Sequence, residues 1–153
     1  MNPGLSQLLE HPVLAGLPVR AIERVSQCTT DVTFRAGEVI FSEGGAASVF
    51  YLLESGRVVI SSHAPGKGHL MVQTLGRGEA LGLSWLFPPF LWQFDARCLD
   101  DAQVHAVDGP RLRAELDADP AFGYEFMKRY APIILGRLQQ TRLRLLDLYD
   151  KGP

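Results

Sequence analysis

Val49-Phe-Tyr-Leu-Leu-Glu-Ser-Gly-Arg-Val-Val-Ile-Ser61 decides the fold class. Two short runs rich in β-branched and aromatic residues, Val49 to Leu53 and Arg57 to Ser61, flank the turn sequence Glu54-Ser55-Gly56, which reads as strand, turn, strand. The same grammar extends in both directions. Upstream lie Asp31-Val-Thr-Phe34 and Glu38-Val-Ile-Phe41, punctuated by Ala36-Gly37 and Glu43-Gly44-Gly45. Downstream, after the turn Ala64-Pro-Gly-Lys-Gly68, comes Leu70-Met-Val-Gln-Thr-Leu75. Further strands are predicted at about Gln93 to Leu99 and Ala102 to Val107, hinged by Asp100-Asp101. Many short strands at nearly regular spacing argue for a β-sandwich or jelly-roll barrel rather than an open α/β sheet.

Helical periodicity brackets this β region. Leu5, Leu8, Leu9 and Val13 recur at helical spacing between Leu5 and Leu17, interrupted by Pro12, and a second short helix is predicted after Pro18 with Ile22 and Val25 on one face. At the other end Asp108 is placed to cap a helix over Pro110 to Leu116, and Pro120 opens a longer one. Along it Phe122, Phe126, Tyr130, Ile134, Leu138, Thr141, Leu145 and Leu148 step by three or four, with Arg129, Arg137, Arg142 and Arg144 mostly off the stripe; Pro132 is expected to kink it. A helix from Pro120 to Tyr149 spans on the order of 45 Å at ~1.5 Å per residue, more than a domain of this size needs to cover itself. Its far half is therefore expected to pair with a second copy through Tyr130, Ile134, Leu138 and Leu145. The chain reads as one domain, residues 1–153, mainly β with flanking helices: N-terminal helices in 1–28, a jelly-roll β-barrel in 29–108 and C-terminal helices in 109–153.

The functional candidate is the loop from Leu75 to Asp95. A tight glycine turn is predicted at Gly76 and Gly78, an apolar run ends at Gly82, and Leu83 to Phe87 form one helical turn that Pro88 stops. A strand that ends at a glycine and opens a helical turn converges backbone N–H groups on one spot, an arrangement that holds anions without a cationic side chain. The loop is also crowded with Trp85, Phe87, Phe90, Trp92 and Phe94. Any one of these aromatics reads best as loop folded onto its own core; the cluster as a whole reads as an apolar ligand pocket or a docking patch. The candidate pocket residues are Gly82, Leu83, Ser84, Trp85, Trp92 and Gln93, facing a nucleotide or another small planar or anionic ligand.

Composition limits the alternatives. The chain has 153 residues, 46% of them hydrophobic, and a formal charge of −2, which gives no basic excess for a polyanionic partner. No apolar run approaches the ~20 residues of a membrane span and no secretory signal pattern is present, so a cytoplasmic protein is expected. Cys28 and Cys98 are expected as buried small hydrophobes, and His11, His63, His69 and His105 fall singly, without metal-ligand spacing. Ser84 lacks a nucleophile-elbow setting, its neighbours being Gly82-Leu-Ser-Trp-Leu86. No catalytic activity and no metal are expected.

Phe34-Arg-Ala-Gly-Glu-Val-Ile-Phe41, Glu43-Gly44, Phe50-Tyr-Leu-Leu-Glu-Ser-Gly-Arg57, Leu75-Gly-Arg-Gly-Glu79, Gly82 and Val104-His-Ala-Val-Asp108, in that order, resemble the cyclic-nucleotide-binding domain of the cyclic-AMP receptor protein family. The resemblance implies a phosphate-binding cassette in which a Phe-Gly-Glu triplet opens a short helix, the glutamate grips the ribose, and a downstream arginine pairs with the cyclic phosphate. Here Gly82 is kept, Leu83 stands for the glutamate, and Trp92, followed by Gln93, stands for the arginine. A charge-assisted hydrogen bond contributes ~1.5–3 kcal/mol, so losing both contacts weakens cyclic-AMP binding by roughly two to four powers of ten. The family also implies dimerisation through the long helix, and in its transcription factors a helix-turn-helix domain beyond it. This chain ends at Pro153, so a stand-alone regulatory or sensor module is expected, with no DNA binding by this chain alone. The alternative is an accessory subunit with a non-functional pocket in a larger assembly, since small proteins resembling this one are attached to bacterial NAD(P)-linked hydrogenases.

Overall fold

A computed structural model describes residues 4–66 and 68–150. Residues 1–3 and 151–153, at the ends of the assigned domain, and Lys67, in the expected Ala64–Gly68 turn, lie outside the described residues. Two helices, α1 (Leu5–Glu10) and α2 (Val19–Gln27), precede eight strands: β1 (Thr29–Phe34), β2 (Val39–Phe41), β3 (Val49–Ser55), β4 (Val58–Ala64), β5 (Gly68–Leu75), β6 (Ala80–Leu81), β7 (Asp95–Cys98) and β8 (Ala102–Asp108). A 3₁₀ helix, Leu83–Leu86, lies between β6 and β7, and α3 (Gly109–Ala118) and α4 (Pro120–Asp150) close the chain.

The strands form two antiparallel four-stranded sheets, β1-β8-β3-β6 and β2-β7-β4-β5. The jelly-roll class expected from the sequence is therefore present, with one correction: the strands form two separate sheets instead of a closed barrel. Physically, β6 is too short, at two residues, to extend the ladder of the first sheet around to the second.

The strand-turn-strand stretch Val49 to Ser61 crosses from the first sheet to the second, and its sequence follows from what surrounds it. β3 pairs on one edge with β8 and on the other with β6, so both of its hydrogen-bonding edges are satisfied. Phe50 and Leu52 point to a helix-side core with Leu8, Leu14, Ile22, Trp85, Phe126 and Tyr130. Leu53 joins an inter-sheet core with Val58, Leu75, Leu81 and Val104. A strand buried on both faces reads as a nearly continuous apolar run, which is what Val49 to Leu53 is. Gly56 is required at the turn: its φ is +88°, and a Cβ there would stand 2.5 Å from the Asp101 carbonyl oxygen.

The C-terminal helices follow their caps. The Asp108 side chain accepts from the Arg111 N–H with a proline in the first turn of α3, and Asp119 accepts from the Phe122 N–H at the start of α4. The Arg24 guanidinium donates to both Glu115 and Asp119, at 2.6 and 2.7 Å, locking α2 against the α3–α4 corner. α4 continues through Pro132 as one helix of 31 residues.

Candidate functional site

The loop between β6 and β7 sorts its aromatics into different environments. Trp85 is 0% exposed in the helix-side core, its ring stacked 5.2 Å from Phe50 and edge-on to Phe126 and Tyr130. Among the described residues its buried indole N–H has no hydrogen-bond partner of standard geometry. Trp85, expected beside a ligand, thus belongs to the packing core: the 3₁₀ turn swings it toward α4 because Gly82, at φ +86°, reverses the chain just before it. Phe87 and Phe94 are exposed, and the Arg113 guanidinium lies 4.0 Å over the ring of Phe90.

Trp92 turns the other way. Its backbone exchanges hydrogen bonds with Gly44 and Gly45, and its ring stacks on Phe41 with centroids 3.9 Å apart and planes at 10°. The far edge of the indole lies over Gly82, where a Cβ would come within 2.7 Å of it. Gly82 is therefore needed twice, for its left-handed backbone and for the space Trp92 takes. Trp92 is 6% exposed and fills the volume directly above the strand-glycine-helix turn.

Beside Trp92 a cavity of about 270 Å³ remains between the second sheet, the loop and α4. Gly82, Leu83, Ser84, Trp92 and Gln93 all line it, so of the six pocket residues expected from the sequence only Trp85 lies elsewhere. Phe41, Ile60 and Val72 form its sheet wall; Ile134, Arg137 and Leu138 form the wall supplied by α4. The volume sits just under the roughly 300–1,000 Å³ of drug-sized ligand sites, and the mix of apolar walls with a few polar groups suits a small molecule.

Arg137 is the residue sequence reading missed. It stood off the apolar stripe of α4, yet its guanidinium reaches down to donate to the Ala80 carbonyl, and burial holds its pKa below the ordinary arginine value. Tyr130 donates its hydroxyl to the Leu83 carbonyl at 3.0 Å, and burial pushes its phenol well up. α4 is thereby tied to the loop on both sides of Gly82, at Ala80 and at Leu83. The signal for this was present only as spacing: Tyr130 and Arg137 stand two helical turns apart on one face.

The expected dimer residues divide. Tyr130 is 1% exposed and belongs to the chain's own core, and Ile134 is half-buried at the cavity. Leu138 and Leu145 are 64% and 53% exposed, with Leu135, Leu148 and Tyr149 exposed nearby. Tyr130 is corrected from seam to core because the first half of α4 packs on Phe50 and Trp85 before the helix passes the end of the helix-side core.

Outside this region, the buried His105 imidazole meets Asp31 at 2.7 Å and Glu54 at 2.9 Å. The nearby His11 bonds to the Leu53 carbonyl at 3.0 Å. No group of His, Cys, Asp or Glu among the described residues is arranged to hold a metal ion. Burial pushes the Cys28 and Cys98 thiols up, the wrong direction for nucleophiles. No helix among the described residues is long and apolar enough to cross a membrane.

Comparison with known proteins gives a consistent picture. Residues 31–119 match the family described as the cyclic nucleotide-binding domain. The chain is 23% identical over 136 residues to the CRP-like cAMP-activated global transcriptional regulator of Mycobacterium tuberculosis, covering 89% of this chain and 59% of that one. It thus spans well under two thirds of that regulator's length. A Geobacter metallireducens structure named as a candidate cyclic nucleotide-binding protein superposes with a TM-score of 0.80 at 25% identity, covering 89% of this chain and 98% of that chain. A cyclic nucleotide-binding domain from Methylobacillus flagellatus gives 0.83 at 14% identity, over 94% and 83% of the two chains, a likeness of fold.

Proposed function

This chain belongs to the cyclic nucleotide-binding domain family, and from that premise we propose that it is a regulatory binding module whose pocket takes a small ligand other than tightly bound cyclic AMP. The observation that carries this reading is the position of Trp92. Its indole is stacked on Phe41 and lies against Gly82, in the space above the strand-glycine-helix turn. A cyclic phosphate held over that turn would have to displace a buried ring. Leu83 offers no carboxylate to a ribose hydroxyl, and neither Trp92 nor Gln93 offers a charge. The cavity beside Trp92 supports binding of something smaller or differently shaped.

The hydrogen bonds from Tyr130 and Arg137 to the loop support regulation, since a ligand that shifts the Ala80–Leu83 backbone also shifts α4. The protein acts on this reading by binding, with no catalytic step. Isothermal calorimetry with cyclic AMP at neutral pH tests it: no saturable low-micromolar isotherm is expected, and a one-site isotherm in that range would refute it.

The exposed leucines of α4 support a further reading, that two copies pair along the second half of the helix. Leu135, Leu138, Leu145 and Tyr149 follow one another at helical spacing on the outside of α4, and an unshielded apolar stripe in water is removed by self-association. This seam starts later than the sequence stripe, beyond Tyr130.

A further inference from the structure

The charge balance of the cavity singles out one residue. Its lining is apolar apart from a few neutral polar groups and Arg137, and none of the described lining residues is acidic. Arg137 carries five N–H donors on a group that stays ionised. Its hydrogen bond goes to one backbone carbonyl, that of Ala80. Glu79 is the acidic residue whose field reaches it, but the Glu79 carboxylate accepts from the Gly76 N–H at 2.7 Å and forms no ion pair with Arg137 among the described residues. The direction of the Arg137 pKa agrees, since desolvation dominates over attraction to Glu79. A guanidinium brought to a cavity wall, part-buried and with no carboxylate bonded to it among the described residues, keeps donors that an arriving anion can take.

We propose that Arg137 receives the negative charge of the cavity's ligand, and that this ligand is a small molecule with an apolar body and a single anionic group. The proposal rests on the reading that the cavity binds a ligand at all. One anionic group matches one guanidinium, because a second charge against Phe41, Ile60, Val72 and Leu83 would be desolvated without a partner. The charge contact then comes from α4 and not from the loop after Gly82. Ligand and Ala80 carbonyl share one guanidinium, so occupancy acts directly on the bond that ties α4 to the loop.

The test titrates the full chain with anilinonaphthalene sulfonate, which has an apolar ring system and one sulfonate, and in parallel with phenylnaphthylamine, the same rings without charge. Wild type is expected to bind the sulfonate more tightly than the neutral probe. Arg137→Gln should weaken the sulfonate roughly ten- to a hundredfold and leave the neutral probe within about twofold. Ser84→Trp, which fills the cavity, should abolish both, so that dye on the exposed face of α4 is recognised as such. Circular dichroism confirms that each variant is folded. If Arg137→Gln fails to fold, the sulfonate preference of wild type and its retention in Arg137→Lys decide instead. Equal weakening of both probes in folded Arg137→Gln, or no preference in wild type, overturns the charge assignment while the binding cavity stands. Failure of wild type to bind either probe overturns the assignment together with the reading beneath it.

Discussion

Trp85 and Trp92 belong to one loop and face opposite sides of the molecule. Trp85 enters a core built from four helices and one face of the first sheet, where every side of its ring meets another side chain. Trp92 enters the space between the loop and the second sheet, packed on one face by Phe41 and bordering a cavity. The first position holds the helices to the strands; the second closes the ground over Gly82 and leaves room beside it. Two identical side chains in one loop thus separate a packing core from a cavity wall, and the distinction lies in what surrounds them.

Replacing each in turn breaks the comparison in measurable ways. Trp85→Ala should cost about 3–5 kcal/mol in urea unfolding, the range for removing a fully buried aromatic. Trp92→Ala should cost less, about 1–3 kcal/mol, because part of its contact area already borders a void, and it should enlarge the cavity. Equal losses for both would remove the distinction.

A third difference concerns protons. On the helix side, burial holds the His11 imidazole below its ordinary value of 6.5, opposed by its bond to the Leu53 carbonyl and the nearby Glu54 charge and assisted by His105. The unfolded chain takes up that proton near the ordinary value while the folded chain resists it. The contribution is therefore fully present above about pH 6.5 and lost as pH falls through the window below. The midpoint of thermal unfolding should drop between neutral pH and mildly acidic pH, and His11→Gln should flatten that slope; an unchanged slope in the variant would refute the assignment to His11.

The smallest effect on stability is expected from Leu138→Asp, Leu145→Asp, which lies outside both cores. Light scattering of wild type should give about twice the 16.9 kDa chain mass, and the variant should give the chain mass itself with its β-rich circular dichroism intact. A wild-type monomer at tens of micromolar would remove the seam, and unfolding of the variant would move those leucines into the core.

Much of this was legible in local signals. The Glu54-Ser55-Gly56 turn, the Asp108 cap, Pro120 at the start of α4 and the 3₁₀ turn after Gly82 are each specified within a few residues, and each lies where its own stretch of chain requires. What failed was information carried between distant segments. The sequence shows that Trp85 and Trp92 are aromatic but not which side of the loop each leaves by. The period of α4 makes Tyr130 and Leu138 look alike, although one is buried under Trp85 and the other stands past the end of that core. Arg137 meets Ala80 across 57 positions of sequence, so nothing near it marks it as part of the site. Gly76 lacks the left-handed φ expected of its turn, which Gly78 supplies.

On the proposed reading, Trp92 and Leu83 keep tight cyclic-AMP binding out of the pocket. The most direct measurement is calorimetry of cyclic AMP against a Leu83→Glu, Trp92→Arg variant beside wild type. The folded variant should gain roughly two to four powers of ten in affinity over a wild type with no low-micromolar isotherm. A folded variant with no gain, or a wild type that already binds in that range, would contradict it.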